Sequence, residues 1–176
     1  MIDAHWALYV ENYLEVFHIP CVHHALNEIV EYASYTSELF RYANLQLALV
    51  KPGEPAVAPP AGSPEQGVAV AAYYFYVFPN LMLNFYPWGL SLNVVEPQGI
   101  DRTRVRFRSY VHDASLLARG AGSALDGVEE EDEAIVRNVA RGVRSRFYRG
   151  GRYSTTRERG VHHFHRLLAE FIGGCE

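Results

Sequence analysis

Apolar residues near the start of the chain recur every three to four positions: Trp6, Tyr9, Val10, Tyr13, Leu14 and Phe17. That spacing predicts a helix over 4–18. Pro20 cannot continue it and pushes Ile19 away from helical angles, so a break is expected there. A short helical turn is expected over 25–32. From Tyr35 the texture changes, and residues 35–42 and 45–50 are strand material. The stretch 51–67 holds Pro52, Pro55, Pro59, Pro60 and Pro64 and forms a surface loop. Strands are predicted over 68–78 and 81–86, joined at Pro79-Asn80, and then over 88–95 and 103–111. In the last, Arg104, Arg106 and Arg108 alternate with Val105, Phe107 and Ser109, the two-residue period of a half-exposed antiparallel strand. Helical spacing returns over 128–148, with Ile135, Val136, Val139 and Val143 in one stripe. It returns again over 157–172, with Val161, Phe164, Leu167, Leu168 and Phe171. Strands first and helices after predict a single α+β domain over 1–176, an antiparallel sheet packed against a long helix.

Composition narrows the functional classes. The 176 residues are 49% apolar and 20% charged, which is enough for one hydrophobic core. The net charge of -4 excludes nucleic-acid binding through a broad basic surface. An acidic run, Glu129 to Glu133, precedes Arg137, Arg141, Arg144, Arg146, Arg149 and Arg152. A helix with charges matched to its dipole accounts for both. No uninterrupted apolar run is long enough for a membrane span, and the start lacks the basic, apolar signature of a signal peptide, so a cytoplasmic protein is expected. Cys21 and Cys175 allow one disulfide but not a disulfide-built domain. Cys21 is expected to be a small buried hydrophobe.

The histidines carry the candidate chemistry. His18 and His23 flank Pro20, with Glu15 three residues before the first. On a straight helix the two rings would point about 140° apart. A bend at Pro20 would let both imidazoles converge on a metal, with a carboxylate from Glu129–Glu133 as third ligand. Spacing alone favours ordinary polar or buried histidines over a metal site. His162, His163 and His165 form a second cluster, read as surface or structural. No nucleophilic triad and no phosphate-binding glycine loop stands out.

The run Glu11-Asn12-Tyr13-Leu14-Glu15-x-x-His18-x-Pro20-x-x-His23 closely resembles the mononuclear-iron motif of Rieske-type ring-hydroxylating oxygenase α subunits. The resemblance continues through Tyr73 to Gly89, Glu131-Asp132-Glu133 and Gly151 to Ser154. It implies a helix-grip fold, a curved antiparallel sheet wrapped around a long C-terminal helix. It implies non-haem Fe(II) held by His18, His23 and Asp132. It makes Glu15 the bridging carboxylate toward a Rieske cluster in the neighbouring subunit of a homotrimer, and groups Asn12 with it in the catalytic set. It implies hydroxylation, with O2, of an aromatic or other apolar small molecule, or of a quaternary amine caged by some of Tyr73, Tyr74, Tyr76, Phe85, Tyr86 and Trp88. Strand alternation allows only half of these to face one side. A Rieske [2Fe-2S] cluster needs two cysteines and two histidines in Cys-x-His and Cys-x-x-His. Cys21 and Cys175 cannot supply them, so the cluster is expected from a partner protein or subunit served by a reductase. His24, Arg137, Ala140 and Thr155 depart from the family's usual residues. Two other readings remain open from the residues: a non-catalytic helix-grip binding module, and a zinc hydrolase using the same three side chains.

Overall fold

The computed structural model of the chain describes residues 1–123 and 125–174. Cys175, and with it the possible disulfide, lies outside the described residues. The first helix, α1 (Trp6–Leu14), is capped by His5, whose Nδ1 accepts the Ala7 amide at 3.3 Å. It ends four residues earlier than its apolar period suggested. Glu15 is extended (φ -111°, ψ 159°), and its carboxylate takes the Phe17 amide, a local bond that competes with continuing the helix. Pro20 therefore sits in the first turn of a new helix, α2 (Ile19–Val22), where its missing N–H costs nothing. Ile19 faces inward on α2, and Cys21, two residues on, is an exposed free thiol, not the buried hydrophobe expected. A third short helix, α3 (His24–Ile29), follows directly.

Six strands then run as a continuous antiparallel meander: β1 (Val30–Leu39), β2 (Ala43–Val50), β3 (Val70–Val77), β4 (Leu81–Tyr86), β5 (Gly89–Gly99) and β6 (Arg102–Val111), in spatial order 1 to 6. Strand β1 starts five residues before its expected position and takes up the end of the predicted helical turn. Register breaks at Glu31/Thr36, Ala48/Leu49 and Pro97/Gly99 let the sheet curve. The loop 51–67 lies between β2 and β3, as the prolines require. Two helices close the fold, α4 (Leu125–Val143) and α5 (Arg159–Gly173). Helix α4 stops before Arg144, so Arg146, Arg149 and Arg152 are not part of a dipole-matched helix.

The fold is α+β with the helix-grip arrangement. The sheet grips α1 and α5, and α4 makes its principal contacts with α1. The larger core cluster joins Val10 and Leu14 of α1 to Tyr76, Met82 and Val95 of the sheet, Val136 and Ala140 of α4, and Val161 and Phe164 of α5. Phe164 has no solvent exposure and meets the rings of Trp6 and Tyr76 edge-on at 5.6 and 5.8 Å. A second cluster packs Val30, Ala48, Ala71 and Ala72 against Tyr86 and Trp88. Gly122 makes that packing possible. Its φ is +86°, and a Cβ there would lie 2.7 Å from both the Trp88 indole nitrogen and the Tyr86 ring. A cavity remains with walls drawn from both clusters. Among the described residues, no helix is long and apolar enough to cross a membrane.

Candidate metal centre and substrate pocket

Ending α1 at Leu14 solves the orientation problem posed by the two histidines. His18 caps α2 at its start and His23 at its end, with φ -92° and ψ 68° at the junction with α3. Neither ring is bound to one helix's angular repeat. They stand edge to face, centroids 4.8 Å apart. Asp132 enters from the second turn of α4, which packs on α1. The Nε2 atoms of His18 and His23 lie 3.5 and 3.1 Å from Asp132 Oδ1, and one ligand atom from each of the three residues falls within 4.8 Å of the others.

Each imidazole is oriented from behind. His18 Nδ1 meets the Glu15 carboxylate, and His23 Nδ1 donates to Glu131 Oε2 at 2.7 Å. Both Nε2 lone pairs are thereby aimed at the Asp132 carboxylate. Asn12 Nδ2 donates to Asp132 Oδ1 at 2.7 Å and fixes it from the α1 side. Two nitrogen lone pairs facing one carboxylate repel unless a cation sits among them. Burial works to lower the His23 pKa, but Asp132 and Glu131 outweigh it, and the net shift is upward. The same two carboxylates favour a proton on His23. A metal ion could take the same place, since one ligand atom from each of the three residues lies within 4.8 Å of the others. Two imidazoles and one carboxylate are a donor set that would hold a metal ion and leave room for other ligands.

The dipole accounts for the acidic run as a whole, while the family resemblance singles out Asp132 within it. Because α4 begins at Leu125, that run falls on the second turn. Its members diverge: Glu133 pairs with Arg137, while Glu129, Glu131 and Asp132 turn toward the site. Glu131 was missed as a positioning residue. Glu131→Gln leaves a weaker acceptor for His23 Nδ1, and metal affinity is expected to fall about 10- to 100-fold. Titration against a competing chelator reads that loss.

The second histidine cluster makes no metal site among the described residues. His165 joins Glu11 at 2.7 Å and also meets the Tyr153 hydroxyl, while His162 lies against the Tyr153 ring. His163 is partly buried, and that burial lowers its pKa.

The cavity that opens over the three residues has a volume of about 110 Å³. Of the six aromatic residues considered from sequence, Tyr74 and Tyr86 line it. Tyr76 turns into the core against Phe164, Phe75 and Phe85 pair on the opposite face of the sheet, and Trp88 stacks behind Tyr86 at 5.4 Å. Tyr9, Tyr13 and Tyr35, not considered from sequence, complete the aromatic wall. Burial raises the pKa of all five lining tyrosines, that of Tyr74 to about 12, so every ring is a neutral phenol. Gln46, Asn84, Ser91 and Asn93 add a polar strip on the sheet side. Tyr13 donates to Asn84 Oδ1 at 2.7 Å, and Gln46 Nε2 donates to the Tyr13 carbonyl at 2.7 Å. Their sequence signal was visible: single polar residues at alternate positions inside apolar strands.

Comparison with known proteins agrees with this geometry. Residues 2–174 match the family described as the ring hydroxylating alpha subunit, catalytic domain. The chain is 30% identical over 174 residues to the chloroplastic choline monooxygenase of Arabidopsis thaliana, covering 95% of this chain and 39% of that protein. It is 29% identical over 179 residues to the carnitine monooxygenase oxygenase subunit of Escherichia coli K12, covering 95% of this chain and 46% of that one. It thus spans less than half the length of these relatives. Among solved structures, a quaternary ammonium Rieske monooxygenase superposes with a TM-score of 0.75 at 22% identity, over 97% of this chain and 48% of that one. Naphthalene 1,2-dioxygenase from Rhodococcus superposes at 0.59 with 20% identity, over 83% and 43%. These two share the fold. The chain belongs to the ring-hydroxylating oxygenase α-subunit family and corresponds to its catalytic domain.

Proposed function

We propose that this chain is the catalytic part of a Rieske-type monooxygenase that holds mononuclear Fe(II) through His18, His23 and Asp132 and oxidises an amine bearing methyl groups. The observation that carries the reading is the convergence of those three side chains at one wall of a tyrosine-lined cavity. The donor set of two imidazoles and a carboxylate suits Fe(II) and dioxygen better than a structural zinc, which favours four closed ligands. When bound, the iron supplies the two-electron oxidation of an unactivated C–H bond, using O2 and two external electrons.

The chain's own residues do the rest. Asn12 and Glu131 hold Asp132 and His23 in place before any ligand arrives. Val16, Ile19, Leu26 and Ile29 keep bulk water from the cavity and so protect a reactive centre from side reactions. Glu15 contacts His18 on one side and is partly exposed on the other, which supports it as the point where electrons enter. Those electrons come from a Rieske [2Fe-2S] cluster carried by another subunit or another part of the polypeptide, in a homotrimer fed by a reductase. The neutral tyrosine faces favour a quaternary or tertiary ammonium through cation–π attraction, and the relatives named for choline and carnitine point the same way.

The test is direct. The chain is loaded anaerobically with Fe(II), washed and assayed for metal, and is expected to keep about one iron. Given hydrogen peroxide and choline, it is expected to form oxidised product, since peroxide brings both oxygen and the two oxidising equivalents. No retained iron, or zinc retained together with hydrolytic turnover, would reject the oxygenase reading. Peroxide-driven hydroxylation of naphthalene but of no amine would return the substrate to the aromatic class.

A further inference from the structure

The cavity holds three carboxylates, and two of them are engaged. Asp132 is held by Asn12 and faces both histidines, and Glu15 is taken up by His18 and the Phe17 amide. Glu129 is different. It lies three residues before Asp132 on the same face of α4, lines the cavity and is half-buried. Among the described residues it has neither a hydrogen bond nor an ion pair. Its electrostatic neighbours include the ring hydroxyls of Tyr9 and Tyr86. Among the described residues no lysine or arginine lines the cavity.

We infer that Glu129 is the counter-charge for the substrate's ammonium group, and that with no cationic partner in the cavity it selects amines carrying a net positive charge and rejects zwitterions with a carboxylate. This rests on the amine reading above and deepens it. An unpaired carboxylate beside two tyrosines forms a cage with one charged wall, which attracts a methylated ammonium more strongly than neutral rings do alone. A substrate carboxylate entering the same space would lose its water without gaining a cation and would meet a like charge, so rejection comes from repulsion as well as from missing contacts. The cost of leaving Glu129 unpaired is already visible. Burial first, and then Asp126, Asp132 and Glu133, push its pKa up to about 7, and a bound cation restores the charged form.

Calorimetric titration of the full chain with three probes of similar size tests this: choline, glycine betaine, and the uncharged isostere 3,3-dimethylbutan-1-ol. Choline is expected to bind at least about tenfold more tightly than either of the others. Glu129→Gln should lose about tenfold for choline, leave the alcohol unchanged and narrow the gap to betaine. Glu129→Asp should keep the order of the three. Metal content and melting temperature of both variants establish that they fold. Equal binding of choline and betaine, or an unchanged choline affinity in Glu129→Gln, overturns the role of Glu129 while leaving the amine reading intact. Binding of the alcohol in preference to both charged probes overturns the amine reading itself.

Discussion

His23→Ala is expected to leave the protein folded but unable to retain metal, with oxidation activity falling to background. His23 is 2% exposed and reaches both Glu131 and Asp132, so its loss removes a proposed ligand and frees the carboxylate it helped to orient. The expected drop in metal affinity exceeds the 10- to 100-fold, roughly, that follows loss of an orienting partner such as Glu131. Two pH effects should vanish with it. The His23 pKa is raised above its ordinary value of 6.5 in the folded, metal-free protein. A raised histidine pKa contributes stability that is fully present below the unfolded value and is lost as pH rises through the folded one. A metal held by His23 would compete with the same proton, so metal uptake is expected to strengthen as pH rises through that window. Chelator titrations and thermal melts at pH 5.5 to 8.5 read both. If His23→Ala binds iron as the unaltered chain does, with the same pH dependence, the assignment of His23 as a ligand fails.

Phe164→Ala is expected to have the largest effect on stability. Phe164 is fully buried at the meeting of α1, α5 and β3 and makes edge-on contacts with Trp6 and Tyr76. Removing a buried phenyl ring from such a site costs about 3–5 kcal/mol through lost transfer energy and the cavity left behind. For a domain of this size that is a fall in melting temperature of about 10 °C. The loss also reaches the site. Helix α1 is held between the sheet and α4, and it carries Asn12, which fixes Asp132. Loosening α1 from α5 should weaken metal retention well below the melting transition. Differential scanning calorimetry gives the first effect, and metal content at 25 °C gives the second. A variant that melts within 2 °C or so of the parent would mean the neighbouring rings collapse into the space.

The sequence on its own determined the elements whose evidence is local. Alternation gave the strands, helical spacing gave α1 and α5, and the prolines gave the loop between β2 and β3. The motif from Glu11 to His23 was equally legible, because all its members lie on one short stretch. Helix ends were less so. Whether α1 stops at Leu14 or Phe17 turns on a side chain of Glu15 taking a backbone amide, which apolar spacing does not record. Spacing and charge did not say which acid faces the histidines; the family motif named Asp132, and the tertiary structure brings it to them. Along the chain Glu129, Glu131, Asp132 and Glu133 are interchangeable helix formers. The packing of α4 on α1 gives each a separate partner: the cavity, His23, the proposed metal position and Arg137. The same holds for the pocket wall. Alternation shows that Tyr74 and Tyr86 lie on one face of the sheet together with Tyr76, but only the seating of α1 and α5 over one end of that face buries Tyr76 in the core and leaves the other two lining a cavity. A charge or ring acquires chemistry from what stands opposite it, and that is set by contacts between segments a hundred residues apart.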